Sequence, residues 1–523
     1  MPLTPRMNPY TRILARLYEA IISLWILRRV NGPHLVTYLN DNYLQGVRRR
    51  FLKNLCFFCD YKKGGESTTA LGLEEQEGSC VFWISSNEGV GDHVVLFLNN
   101  VLAMLKRVDE SKKNRASAVA DLMAYYAKFA APRMKKETRI LHNAIKRCLE
   151  VSEASSPAEG TCEFSPVTSL LLHLQDSAFD NVVMCKKAYQ VSHDHQLQLL
   201  KRLGQEPDDS IGQGPAAQAF RDAKHMIGRL AAHAHAVHEL FDDSERLQKL
   251  LESYRVDKVD TPLPASVPPG DSHTTLAGVL KRLLPARDDR YESYLCYLKR
   301  MDSQLGIENT LCTKLKPGAL KPCVHAEIQM LHHFHDTNRQ YFANDRFVAC
   351  SKFACILCES FFRNHPARVI LLDSHQKTYP NWGAIQLPRG ASDPGWQNWR
   401  KIMNDVIHDI KAIVVDQISQ QLVSSMNHPD SISQFTASVD EAHDSTGSET
   451  DYFEYLSSES DDCKCPISMV VFLVVNQRIT TAHSSTSTEL AVQLAHTSVE
   501  DQQFSDDDDG EHGAPLNQFC PNV

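Results

Sequence analysis

The sequence lacks an apolar stretch long enough to cross a membrane. Its longest mainly apolar runs are "AIISLWIL" at residues 20–27 and "MVVFLVV" at residues 469–475. A membrane-spanning helix needs about 20 mainly apolar residues. Neither run reaches that length, so the sequence predicts a protein without a transmembrane anchor.

The chain also lacks the features of several common function classes. The segment "NEGVGDH" at residues 87–93 is missing the third glycine of a nucleotide-binding loop. Neither an internal repeat nor a secretory signal peptide is recognisable. The 15 cysteines are therefore expected to be free thiols or metal ligands and not a disulfide framework. We expect an intracellular location, cytoplasmic or nuclear, in a reducing compartment.

Helical periodicity dominates the first half of the chain. Between about residues 34 and 255 most segments repeat apolar residues three and four positions apart, which is typical of amphipathic helices. Residues 1–258 are therefore predicted to form a mostly helical domain. Residues 259–273 contain four prolines and a glycine, which cannot continue a helix and favour a linker.

Short helices and strands alternate after this linker. Helical patterns near residues 275–284, 289–304, 324–335 and 355–364 accompany the apolar segments "RFVACS" and "RVILLD", and a last helix ends near residue 418. Helices alternating with short apolar strands indicate an α/β layer architecture. Residues 274–420 are therefore predicted to form an α/β domain.

The last part of the chain, residues 421–523, has a different composition. From residue 424 onward 18 acidic residues face only Lys464 and Arg478, a net charge of −16. This composition predicts an acidic, largely disordered tail. Because the whole chain carries a formal charge of −9, about +7 falls on the preceding residues. Between residues 273 and 400, 17 lysines and arginines accompany 11 aspartates and glutamates, a surplus that is compatible with a nucleic-acid partner.

One motif combines the donor atoms that zinc prefers. His325 opens a predicted helix, and Cys355 and Cys358 lie three positions apart at the start of the next one. Three helical positions place both sulfurs on one face. A catalytic zinc has three protein ligands and water in the fourth position, so these three residues are the predicted Zn²⁺ ligands. Glu327 is then placed to transfer protons during hydrolysis.

The order His-x-Glu followed by Cys-x-x-Cys on a second helix is typical of zinc deaminases. More narrowly, "CVHAEIQML", "VACSKFACILCESFFRNHP" and "SHQKTYPNW" together resemble the OTT-type deaminase-like family of filamentous fungi, over about residues 273–400. The resemblance implies a cytidine deaminase-like three-layer α/β/α fold, with zinc ligands and a catalytic glutamate at the four motif positions. The wider superfamily usually has proline where this chain has Ala354, so a looser turn is expected there.

Two nearby cysteines allow other interpretations. Cys323, two residues before His325, could serve as a fourth ligand, and a closed Cys₃His site would stabilise the fold without activating water. Glu327 argues against that interpretation, because a purely structural site has no use for a carboxyl at this position. Cys350 ends the strand that leads toward the motif and is interpreted as a buried structural thiol.

The segment "DSHQKTYPNW" follows a predicted strand and is a candidate for substrate binding. His375, Tyr379 and Trp382 could stack on a base, and Lys377 could contact a phosphate. The alternative is a turn whose aromatic side chains cover the core, and the sequence does not decide between the two.

Two functions follow from these patterns. The first is a zinc-dependent deaminase that removes the amino group of cytosine or adenine in single-stranded nucleic acid or in a nucleotide. The second is a catalytically inactive zinc module that serves as an interaction protein, with the helical half of the chain as its binding surface.

Overall fold

The structure is a computed structural model that describes residues 7–27, 43–111, 115–154, 164–175, 180–204 and 215–420. This part of the chain is mostly helical, with one small mixed sheet. Its α-helices are α1 Pro9–Leu27, α2 Tyr43–Cys59, α3 Asp92–Ser111, α4 Arg115–Phe129, α5 Ala131–Ala154, α6 Phe164–Gln175, α7 Asn181–Ser192, α8 Gln196–Leu203, α9 Pro215–Arg246, α10 Gln248–Glu252, α11 Leu276–Leu283, α12 Tyr291–Leu305, α13 Ile307–Lys314, α14 Ala326–Asp336, α15 Ile356–Asn364 and α16 Trp396–Gln420.

The sheet contains four strands in the order β3-β2-β1-β4. β1 and β2 form an antiparallel hairpin, β1 also pairs antiparallel with β4, and β2 pairs parallel with β3. The strand bounds are β1 Thr69–Gln76, β2 Ser79–Ser86, β3 Tyr254–Lys258 and β4 Val348–Cys350. The sheet therefore joins strands from before and after the proline-containing segment 259–273.

Both faces of the sheet are buried. Alternate side chains such as Leu71 and Phe82 belong to one hydrophobic core, which also contains residues of α2, α5 and α9. Their neighbours Ala70 and Val81 belong to a second core, which contains residues of α1, α14 and α16. Side chains of a strand alternate between its two faces, so the hairpin separates the two cores and contributes to each.

Helix α14, which begins directly after His325, lies close against β1 at a glycine. A Cβ atom added at Gly72 would lie 2.5 Å from Cε2 of Phe334 and 2.8 Å from Sδ of Met330. Only glycine allows the strand and the helix to approach this closely. The position of α14 on the sheet, and with it the position of His325, therefore depends on Gly72.

Gly72→Ala is expected to lower the free energy of unfolding by about 1–3 kcal/mol, because the added methyl group forces α14 away from the sheet. Thermal unfolding followed by circular dichroism measures the change. Gly65→Ala is the matched control, since nothing lies within 4 Å of a Cβ atom at that position. Equal unfolding temperatures of the two variants would contradict the close approach.

Several predicted elements are confirmed. The long helical segments of the first half correspond to α3, α4 and α9, and those of the second half to α11, α12, α14, α15 and α16. The strand predicted at "RFVACS" is confirmed as β4.

Within the ranges described above, no helix combines the length and the apolar content of a membrane span.

Other predictions differ from the structure. The hairpin β1–β2 lies within the half predicted as mostly helical. The strand predicted at "RVILLD" is wrong: Arg368 has a φ of 47°, and Ile370 N–H donates to Arg346 O beside β4, but no strand forms. A left-handed residue interrupts the extended backbone that a strand requires.

The proposed linker lies against the second half of the chain. Ala265 N–H donates to Ala384 O over 2.8 Å, and Gln386 N–H donates to Leu263 O over 2.9 Å. All described residues belong to one compact unit. The division into a helical domain, a linker and a three-layer deaminase-like domain stays a prediction, and the predicted acidic tail at residues 421–523 lies outside the described residues.

Candidate metal site and its cavity

His325 is held at the point where β2 ends and α14 begins. It is the N-cap residue of α14 in extended conformation. The Asn87 side chain, just after β2, accepts a hydrogen bond from Ala326 N–H over 2.8 Å. Ser85 Oγ donates to Ala326 O over 2.8 Å. These bonds satisfy backbone groups of Ala326 at the helix start and fix the position of the adjacent His325.

The two cysteines occupy the start of α15 in the same way. Cys355 is the N-cap residue, and its sulfur accepts a hydrogen bond from Cys358 N–H. Ala354 N–H donates to Asp373 O over 2.8 Å, and Ile356 N–H donates to Lys377 O over 3.2 Å. The segment 373–377 therefore fixes the turn before α15. A proline in place of Ala354 could not donate the first of these bonds.

The three predicted ligands converge. His325 Nδ1 lies 3.3 Å from the sulfur of Cys358 and 3.7 Å from that of Cys355, and the two sulfurs are 3.5 Å apart. Among the residues that the structure describes, these three form a group whose donor atoms lie close enough together to hold a metal ion. Cys355 and Cys358 are buried, and the side chain of His325 is 14% exposed. The site can therefore bind a metal ion, with protein on most sides.

The electrostatics of the group favour a thiolate. Burial opposes ionisation of Cys355, but the hydrogen bond with Cys358 and the charge of His325 outweigh it and lower the pKa of Cys355 to about 6. Burial, followed by the contact with Cys355, raises the pKa of Cys358. Burial lowers the pKa of His325, but the nearby Cys355 reverses this and raises it overall. A thiolate is the form of cysteine that binds metals.

Glu327 lies in the first turn of α14, next to the three donor atoms. Its side chain is buried, with one oxygen 4.0 Å from His325 Nδ1 and the other 3.9 Å from the sulfur of Cys350. Glu327 is adjacent to the metal-ligand group but is not a member of it. A carboxylate in this position can exchange protons with a molecule bound beside the metal.

Cys323 and Cys350 lie near the group without joining it. The sulfur of Cys323 lies 3.1 Å from Asn87 O, and Cys323 is absent from the set of donors that converge within 4.8 Å. Burial raises the pKa of both thiols, that of Cys323 to about 11. Both residues line the cavity in front of the group.

A cavity of about 680 Å³ opens onto the site. Its size falls within the range of small-molecule pockets, about 300–1,000 Å³. The residues that line it near the predicted motif include His325, Glu327, Cys350, Cys355, His375, Lys377 and Tyr379. The ring of Tyr379 stands edge-on to His325 with 5.9 Å between ring centres, and edge-on to His375 at 5.8 Å.

Trp382 lies apart from the other three residues predicted to bind substrate. It is fully buried and is not among the residues lining the cavity. Its indole N–H donates to the sulfur of Cys358 over 3.2 Å. The structure therefore places Trp382 behind the three predicted ligands, in contact with the sulfur of Cys358.

The cavity also contains residues that the motif search did not single out. They come from the region before the proline-containing segment and from the turn after β4, and they are Asp60, Lys62, Lys63, Gly64, Gly65, Glu66, Thr68, Asn87, Glu88, Arg133, Arg229 and Lys352. Asn87 and Glu88 belong to the segment "NEGVGDH", and Lys352 belongs to "VACSKFACILCESFFRNHP". No local motif includes the others. Their proximity to the site depends on long-range folding.

The segment contains, in order, a His-x-Glu helix start, a strand and a Cys-x-x-Cys helix start, and this motif order is typical of zinc deaminases. Residues 324–386 match the family model of the OTT_1508-like deaminases, so this segment of the chain is similar to that family. The restriction of the family to filamentous fungi stays a prediction. The chain has no match among curated proteins or among solved structures.

Proposed function

We propose that the chain is a zinc-dependent deaminase that hydrolyses the exocyclic amino group of a cytosine or adenine base carried by a nucleotide or a nucleic acid. The observation that supports it most strongly is the convergence of His325, Cys355 and Cys358 beside Glu327, at the wall of a cavity. The match of residues 324–386 to a deaminase-like family supports the same reaction class.

Zinc fits the donor set in both chemistry and distance. With zinc–sulfur bonds of about 2.3 Å and a zinc–nitrogen bond of about 2.0 Å, tetrahedral geometry separates two sulfurs by about 3.8 Å and nitrogen from sulfur by about 3.5 Å. The observed separations are 3.5 Å between sulfurs and 3.3 and 3.7 Å from His325 Nδ1. One imidazole with two thiolates is a set that favours zinc over harder cations.

The site is proposed to be catalytic because its donors reach the cavity. His325, Cys355 and Glu327 all line it, whereas Cys358 lies behind them against Trp382. Three protein ligands leave the fourth position of a tetrahedral ion available. A bound zinc ion would supply an activated water molecule there.

The chain's own residues would then perform the proton transfers. The Glu327 carboxylate accepts a proton from the attacking water and delivers it to the amino nitrogen, which departs as ammonia. A carbonyl forms on the base, and the second proton of the water ends on the adjacent ring nitrogen. The contacts of Glu327 with His325 and Cys350 hold its two oxygens in place. Tyr379 is exposed and provides ring surface at the same wall, and the buried His375 contacts it edge-on.

The test combines metal content with product release. Purified full-length chain is expected to contain one zinc per molecule by mass spectrometry and to release ammonia from at least one member of a panel of nucleosides, nucleotides, RNA and single-stranded DNA. Zinc without ammonia from any of these would favour the catalytically inactive zinc module that serves as an interaction protein.

Cys323→Ser is expected to retain zinc, because its sulfur lies against Asn87 O and outside the converging donor set. A closed Cys₃His site would instead lose affinity when one of its four ligands is removed. Zinc content after dialysis against a mild chelator measures the difference. Release of the metal from this variant at a rate well above that of the unmodified chain would favour the structural site.

A further inference from the structure

The cavity has a second wall that the proposed chemistry does not use. It is formed by the segment after α2, by α5 and by α9, elements that all end before the deaminase-like segment 324–386 begins. We call the following residues the basic wall: Lys62, Lys63, Arg133 and Arg229. All four line the same cavity as His325 and Glu327.

A buried carboxylate organises the basic wall. Glu137 on α5 is fully buried and lies 3.2 Å from Arg229 Nε, 3.4 Å from Arg133 Nε and 3.8 Å from Lys63 Nζ. Its other oxygen lies 2.8 Å from Nε2 of the buried His233. Guanidinium groups tied to a buried carboxylate keep a fixed orientation, which suits recognition of an anion.

A second buried carboxylate connects the basic wall to the end of β4. Asp60 lies 3.1 Å from Lys352 Nζ and 3.8 Å from Arg133 NH1. It also accepts a hydrogen bond from Ser67 Oγ over 2.6 Å. Lys352 follows Cys350 by two residues, so this ion-pair network connects the helical region directly to the strand beside Glu327.

The positive charge around the cavity exceeds the negative charge. Among the residues that line it, seven lysines and arginines accompany four aspartates and glutamates. Counting Glu137, which lies behind the wall, still leaves two more cations than carboxylates. In a partly enclosed cavity such a surplus attracts anions and is less screened by salt than on an open surface.

We propose that the basic wall binds a phosphate group of the substrate while the attached base lies at the metal site. The substrate is then a phosphate ester, either a mononucleotide or a single-stranded nucleic acid, and not a free base or nucleoside. Arg229 and Lys63 contact the phosphate, and Glu137 is a positioning residue that holds them. The location of the base rests on the proposed function, whereas phosphate binding does not require the reaction.

The experiment measures binding and not turnover. Full-length Glu327→Gln chain loaded with zinc is titrated by calorimetry with cytidine, adenosine, their 5′-monophosphates and a short single-stranded oligodeoxynucleotide containing both bases. At least one phosphate ester is expected to bind about tenfold or more tightly than its nucleoside, because a hydrogen bond to a charged group contributes roughly that factor. The mononucleotide and oligonucleotide arms distinguish the two sources of phosphate.

Lys63→Ala, added to this background, should remove most of the advantage of the phosphate ester and leave nucleoside affinity unchanged. Its side chain is 23% exposed, so folding should tolerate the change. Arg229→Lys is a second variant, which keeps the charge beside Glu137 but loses the planar fork of donors. Lys146→Ala is the control, since Lys146 pairs with a carboxylate, Glu150, but does not line the cavity.

The outcomes separate this inference from the proposed deaminase. Equal affinity for nucleosides and phosphate esters, or an unchanged ratio in both basic-wall variants, overturns the phosphate site even if ammonia is released. Phosphate-dependent binding that weakens in Lys63→Ala and Arg229→Lys supports the basic wall, even if no substrate yields ammonia. In that case the absence of ammonia counts against the proposed deaminase activity alone. Absence of any detectable phosphate-dependent binding also overturns the inference.

Discussion

Cys355→Ser is expected to abolish zinc binding, so that purified variant contains less than about a tenth of the metal of the unmodified chain. The sulfur of Cys355 lies 3.7 Å from His325 Nδ1 and 3.5 Å from the sulfur of Cys358, so it completes the donor triangle. A serine hydroxyl at this position stays protonated and is a poor ligand for zinc. Mass spectrometry of metal content on the purified variant measures the loss.

Serine is the appropriate replacement because the start of α15 should survive it. Cys355 is the N-cap of α15 and accepts a hydrogen bond from Cys358 N–H, and serine is among the best N-cap residues. Loss of metal would therefore not reflect loss of the helix. The unmodified chain should lose thermal stability when a chelator removes its zinc, whereas the variant should be insensitive to the chelator.

The other Cys-x-x-Cys pair, Cys56 and Cys59 in "CFFC", provides the matched control. Both residues are buried near the end of α2 and are absent from the converging donor set. Cys59→Ser should therefore keep its zinc, at some cost in stability from a buried hydroxyl. Full zinc occupancy in Cys355→Ser, or equal loss in the two variants, would contradict the assignment of the ligands.

The ligand positions could be predicted from sequence because the information is local. Two donors three positions apart at a helix start, and a histidine at another helix start, are recognisable without knowing the rest of the fold. The helical periodicity of α9 and α16 is likewise a property of consecutive residues. The convergence of His325, Cys355 and Cys358 follows from these local features and the short strand between them.

The strands that support the site could not be predicted in the same way. Nearly every residue of β1 and β2 is buried, because both faces of the hairpin pack against a hydrophobic core. A strand buried on both faces lacks the alternation of apolar and polar residues that identifies a strand. Ala70 pairs with Cys350 across 280 positions of sequence, and no local pattern indicates such a pairing.

The basic wall and Trp382 illustrate the same difference between local and long-range information. Sequence predicts base stacking by Trp382 because its segment follows a predicted strand, yet the fold buries Trp382 against the sulfur of Cys358. Arg229 lies within an amphipathic helix, where an arginine is usually a solvated side chain. Only the packing of α5 and α9 brings Arg229 to the cavity of the metal site.

Glu327→Gln is expected to retain zinc and lose activity by about 10²- to 10⁴-fold, the usual contribution of a general acid or base. Glutamine has nearly the same size as glutamate, and Glu327 is not one of the three converging donors. An amide can neither accept the proton of the attacking water nor deliver one to the departing nitrogen. Ammonia release at saturating substrate, together with metal content, measures the two properties separately.

Glu74→Gln is the matched control for this variant. Glu74, on β1, is also a buried carboxylate, but it accepts hydrogen bonds from Trp83 and Arg339 and does not line the cavity. The Glu74→Gln substitution should therefore change the stability of the protein more than its activity. If Glu327→Gln lowered the rate less than tenfold, Glu327 would not be the proton carrier. A proton carrier does not bind the metal, so its removal leaves the donors His325, Cys355 and Cys358 unchanged. Loss of zinc from the Glu327→Gln variant would therefore mean that the Glu327 carboxylate supports metal binding itself.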